Sequence, residues 1–117
     1  MFQKDMRLSL LLDYYGDLLT EQRRLIMELY YCEDLSLSEI AENTGITRQA
    51  VRDSIKKGEA ELHRMDDALH LVDRLDSIQN RSRNAAEHLS GILENVPEGE
   101  LHTSLAALLT SIEAIPG

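Results

Sequence analysis

The stretch SLSEIAENTGITRQAVRDSIKK, residues 36–57, decides the fold. Ser36 and Glu39 form a Ser-x-x-Glu capping box, in which hydroxyl and carboxylate reciprocally satisfy backbone donors at a helix start. The helix they open is short, roughly Leu37 to Asn43, and carries Ile40 and Ala41. Gly45 supplies the left-handed backbone position of a tight exit, and Thr47 caps the next helix two residues later. With Ile46 in the turn and Val51 and Ile55 locking the second helix across it, this is the residue pattern of a helix-turn-helix. It leaves Thr47, Arg48, Gln49, Arg52, Lys56 and Lys57 mostly outside.

Those six exposed residues suit a polyanion. Arginine can bridge the acceptors of a guanine, glutamine can pair with adenine, and base contacts concentrate in the first turns of a recognition helix. From Thr47 to Lys57, four basic residues face the single acid Asp53, a local net charge of +3. The chain around them is acidic, with 12 Lys and Arg against 21 Asp and Glu, a formal charge of -9. A nucleic-acid binder of this balance has weak non-specific affinity with a steep salt dependence. The plainer reading of the same face is the solvated side of an amphipathic helix.

N-terminal to the motif, Leu8, Leu11, Leu12 and Tyr15 predict a helix from about Lys4 to Asp17, with Met6, Leu10 and Tyr14 as a second stripe beside them. A face this wide belongs in a core, the first expectation, or against a second subunit. Gly16 to Thr20 reads as a connection. Thr20 then caps a helix from about Glu21 to Tyr31, with Leu25, Ile26, Leu29 and Tyr30 inward.

C-terminal to it, an apolar seam runs through Val51, Ile55, Gly58, Leu62, Met65, Leu69 and Val72, and resumes with polar residues at its centre through Leu89, Leu93 and Val96. A helix of about 50 residues would be about 75 Å long, too long for one small core, so a break is expected near LDSIQN, residues 75–80. Pro97 and Gly99 precede a last helix with Leu101, Leu105, Leu108, Leu109 and Ile112 at helical spacing. The organisation expected is all-α: a helix-turn-helix domain over residues 1–65, and a C-terminal helical extension over 66–117 for oligomerisation or partner binding.

Catalytic chemistry finds no footing. Cys32 has no activating base near it in sequence and reads as a half-buried small residue, and a lone cysteine makes no internal bridge. His63, His70, His88 and His102 lack ligand spacing, so no metal is expected, and no glycine loop could cradle a cofactor's phosphates. No apolar run approaches the roughly 20 residues of a membrane helix and no signal-peptide pattern opens the sequence, so a cytoplasmic protein without membrane insertion is expected.

The segment from Met6 to Leu75, above all the Tyr-Tyr pairs, LLT before QR, LSLSEIAE and TRQAV, resembles the YlxM family of small bacterial helix-turn-helix proteins. A shorter stretch, Leu19 to Leu62, is similar to region 4 of bacterial sigma factors. Only one helix precedes that likeness, in place of the polymerase-binding domain a sigma factor requires. The YlxM resemblance implies an all-α, sigma region 4-like bundle that binds nucleic acid and regulates the signal recognition particle pathway through the particle's protein components. It supplies no catalytic residues; the positions carried over are Thr47, Arg48, Gln49 and Arg52.

Two functional classes follow. One is a non-catalytic nucleic-acid binder, on DNA or the particle's RNA, acting as a homodimer. The other keeps the scaffold as a protein-interaction module or a sigma-like transcription regulator that does not itself initiate transcription.

Overall fold

The structure, a computed structural model, describes residues 5–115. Every regular element among them is helical: α1 (Arg7–Tyr15), a 3-10 turn (Gly16–Leu18), α2 (Glu21–Tyr31), α3 (Leu37–Thr44), α4 (Arg48–Leu69), α5 (Leu71–Leu93) and α6 (Glu100–Glu113). The all-α expectation holds. Lys4, the expected start of the first helix, lies outside the described residues. The chain divides after Val72 into two compact units.

In the first unit α1, α2 and α3 all pack on α4. Leu8, Leu11, Leu12 and Tyr15 of α1 enter the core with Ile26, Met27, Tyr30 and Tyr31 of α2, and Leu19, Ile40, Val51, Ile55, Leu62 and Val72 complete it. The inward arc of α2 differs from the sequence expectation: Leu25 is 45% exposed, whereas Met27 is fully buried. The reason lies on α4, where Gly58 has no side chain and Met27 occupies the space. A Cβ on Gly58 would come within 2.8 Å of the Met27 sulfur. The second stripe on α1 is not core either, since Met6, Leu10 and Tyr14 are exposed. Cys32, expected half-buried, is exposed.

The expected helix break also moves. Residues 75–80 are continuous helix, and the chain turns at His70, which adopts the left-handed conformation with φ 52° between α4 and α5. Asp66 organises this turn from a buried position in the apolar seam, next to the expected Met65, while Leu69 is exposed. The Tyr15 hydroxyl donates to Asp66 Oδ1 at 2.8 Å and accepts from the Leu71 N–H at 3.0 Å. Arg7 Nη2 reaches Asp66 Oδ2 at 3.1 Å, and the Val72 N–H also hydrogen-bonds this carboxylate. Two backbone donors at the start of α5 are thus satisfied by side chains, which lets the new helix begin there. Burial pushes the Asp66 carboxyl upward, but the hydrogen bonds from Tyr15 and Arg7 outweigh it and hold the group below the ordinary aspartate range. Tyr15 is raised, by burial first and by Asp66 second.

The second unit contains most of α5 and all of α6. Leu89 is the only buried apolar side chain among its described residues, and α6 buries none.

Candidate nucleic-acid interface

The helix-turn-helix forms from local signals. Ser36 Oγ accepts from the Glu39 N–H at 3.1 Å while Glu39 Oε1 accepts from the Ser36 N–H at 3.0 Å, closing the capping box. Hydrogen bonding to Ser36, from its backbone N–H first and its side chain second, holds the Glu39 carboxyl below its ordinary value. Gly45 ends α3 at φ 76°, in the left-handed region, and Thr47 Oγ1 accepts from the Ala50 N–H at 3.0 Å to start α4. Ile40 and Val51 are fully buried across the turn and Ile55 nearly so.

All six residues expected at the site are exposed, but they do not form one cluster. Arg48, Arg52 and Lys56 succeed one another at four-residue spacing along one side of α4. They line a groove of about 540 Å³ whose apolar surface comes from Tyr30, Leu35, Leu37 and Ile55. Lys57 lies on another side, in shallow concavities with Arg23 and with Arg64. The Thr47 hydroxyl is engaged as the helix cap, yet keeps its proton for donation. Gln49 is held along the helix by Asp53, its Nε2 donating to Oδ1 at 3.0 Å, so base recognition would have to exchange that bond.

The cations of the first unit divide into engaged and unengaged ones. Arg7 and Arg23 pair with Asp66 and Glu61, tying α1 and α2 to α4, and Arg24 pairs with Asp17 of the 3-10 turn and with Glu28 on its own helix. Arg48, Arg52, Lys56 and Lys57 make no ion pair or side-chain hydrogen bond with another described residue. Two carboxylates of the groove are already used, Glu39 in the capping box and Glu59 accepting from the Tyr31 hydroxyl. The Tyr31 phenol is raised by burial and by that bond to Glu59.

Sequence reasoning missed Arg64, two turns beyond Lys57 on the same helix, exposed and likewise without such a partner. Its seven-residue separation from Lys57 is the signal that could have found it, because residues so spaced share a helix face. Among the described residues no group of His, Cys, Asp and Glu could hold a metal ion, and no helix is long and apolar enough to cross a membrane.

A capped short helix, a left-handed glycine turn and a second helix locked across it define the class: an all-α helix-turn-helix protein. The profile of the family described as "Putative helix-turn-helix protein, YlxM / p13 like" matches residues 2–94, and the chain belongs to this family, UPF0122. A UPF0122 protein of Halalkalibacterium halodurans is 37% identical over 115 residues, covering 98% of this chain and 99% of the relative. One from Clostridium kluyveri is 41% identical over 90 residues, 77% of this chain and 81% of the relative. One from Bacillus thuringiensis is 46% identical over 87 residues, 74% and 76% respectively.

Proposed function

We propose that this chain is a non-catalytic cytoplasmic protein that lays the start of α4 in a nucleic-acid groove, with Arg48, Gln49 and Arg52 toward the bases and Thr47, Lys56 and Lys57 toward phosphates. The observation that carries this reading is the set of four unengaged cations, Arg48, Arg52, Lys56 and Lys57, on the first turns of the second helix of the motif. Unengaged cations can release the counterions of a polyanion without first breaking an internal ion pair. The YlxM resemblance adds the setting, an accessory or regulatory factor of the signal recognition particle pathway touching the particle's RNA or its protein components; the apolar first helix and the C-terminal seam, not the resemblance, are the ground for reading it as a homodimer.

Titration of the particle's RNA and of random duplex DNA by fluorescence anisotropy at low salt tests it. Binding to at least one is expected, abolished by the double substitution Arg48→Glu and Arg52→Glu. Absence of binding to both at low salt would overturn the reading.

One observation supports the second reading, a protein-interaction module. Met6, Leu10, Tyr14 and Leu18 recur every four residues through α1 and the following turn, all exposed. If a particle protein binds the Arg48→Glu/Arg52→Glu variant as well as it binds the wild type, that line becomes the working surface.

A further inference from the structure

In the groove along α4 an aliphatic floor lies beside a cationic wall. Arg48, Arg52 and Lys56 follow one another on that wall at steps of about 6 Å, over about 12 Å of helix. In the floor Leu35 and Leu37 are half-buried, Ile55 is buried, and Tyr30, the aromatic residue of the lining, is only 5% exposed. The lining carboxylates, Asp34, Glu39 and Glu59, equal the cations in number but not in place. Glu39 is turned back on the start of its own helix by its bond to the Ser36 N–H. Glu59 stands about 17 Å along α4 from Arg48 and is bonded to Tyr31 at the end of α2, and Asp34 lies in the connection that follows α2. Leu37 meets Arg48 and Arg52 again in a smaller concavity. The positive end of the groove is therefore the start of α4.

Floor and wall together select the occupant. Phosphates gain nothing from an aliphatic floor, and an unstacked base finds no exposed aromatic ring there to stack on. A small anion with one charged group cannot engage three cations set over about 12 Å. A peptide with acidic and apolar side chains on adjoining faces satisfies both surfaces. It must be helical, because side chains of a strand alternate between opposite faces, whereas a helix carries carboxylates four residues apart with leucines on the next stripe. Its carboxylates then repeat at the same interval of about 6 Å as the cations of α4.

We infer that this groove docks an acidic amphipathic helix of a partner protein, its carboxylates opposite Arg48, Arg52 and Lys56 and its apolar side chains on Leu35, Leu37 and Ile55. This is helix-in-groove recognition with the charge pattern fixing the register. Glu59 repels further acid at the far end, so the acidic stretch of the partner is limited to about two to three turns. The surface is separate from the exposed line on α1. Because Arg48 and Arg52 also face the bases in the function proposed above, the partner helix and nucleic acid exclude each other, and the acidic helix acts as a competitor that regulates binding. That exclusion rests on the nucleic-acid reading; the docking does not.

The test is a fluorescence-anisotropy titration of a labelled peptide with the full chain. The probe is an end-blocked, alanine-based helical peptide of about 16 residues, with Glu at successive fourth positions and Leu one position before each. Saturable binding is expected, lost when the Glu positions become Lys and weakened at least ~10-fold when the Leu positions become Ser. On the protein, Arg48→Glu/Arg52→Glu should abolish binding and Leu35→Ser should weaken it ~10-fold, with circular dichroism to verify the fold. Lys57→Ala, outside the groove, should change it less than about twofold at physiological salt. Should Leu35→Ser unfold, wild-type amide shifts decide instead: residues 35–37 and 48–56 must move on adding the peptide. No binding up to about 1 mM peptide, equal binding of the Leu and Ser peptides, or shifts centred on Lys57 and Arg64 overturns the docking and leaves a surface for polyanions in general. Displacement of bound RNA or duplex DNA by the peptide supports the exclusion, and simultaneous binding of both overturns it. A chain that binds the peptide but neither nucleic acid keeps the docking and overturns the nucleic-acid reading.

Discussion

At Gly58 a methyl group has no room, because Met27 fills the space from α2 and is itself fully buried. Gly58→Ala gains about 1 kcal/mol of helix propensity but overpacks a closed site, which costs about 1–3 kcal/mol; net destabilisation of about 1 kcal/mol is expected in urea unfolding. Gly91, inside α5, would meet nothing within 4 Å, and Gly91→Ala is expected to stabilise its helix by up to about 1 kcal/mol in the same measurement. Asp66 carries a different kind of consequence. Its folded pKa lies below the unfolded value, so the unfolded chain binds the proton first as pH falls. The stability it contributes is therefore complete above about pH 4 and lost as pH falls through its lowered folded pKa. Asp66→Asn is expected to lower stability at pH 7 by about 1–3 kcal/mol and to flatten the acid side of a stability-against-pH curve. A variant with an unchanged acid limb would count against this role. In the sequence Asp66 is one acid among 21, and its partners Arg7 and Tyr15 stand 59 and 51 positions away, so nothing local marks it.

Between elements, the motif and the junction that follows it contrast. The turn from α3 to α4 was legible residue by residue because its determinants lie within a few positions of one another: the Ser36/Glu39 box, Gly45 and Thr47. Ser36→Ala is expected to cost about 1 kcal/mol and to raise amide exchange over residues 37–40 before the rest of the unit. The turn from α4 to α5 was misplaced, since periodicity reports burial averaged over a face and could not register that a buried carboxylate ends one helix and helps start the next. His70 holds its left-handed conformation without glycine's freedom, a position at which an L side chain is strained by about 1–2 kcal/mol. His70→Gly relieves that strain against glycine's larger unfolded-state entropy, and a net gain of about 0.5–1 kcal/mol by thermal melt is expected. A loss would mean that the imidazole makes a contact of its own at the junction.

Across the whole molecule, the acidic balance and the cationic start of α4 make opposite contributions to nucleic-acid affinity. Lys56 and Lys57 at phosphates imply a log–log salt slope of about -2 on duplex DNA, and Lys57→Ala should reduce it by about 1 without changing sequence preference. A slope near zero would assign the contact to uncharged groups. The sequence by itself determined the helical class, the capped helix-turn-helix and the six exposed residues of its second helix. Each depends on short-range geometry: caps, a glycine at positive φ and the 3.6-residue period. Only the tertiary structure decided that Met27 rather than Leu25 faces the core and that the long seam breaks at His70. It also decided which arginines are engaged. The physical reason is that packing space and ion-pair partners come from residues tens of positions away, and folding alone sets those distances.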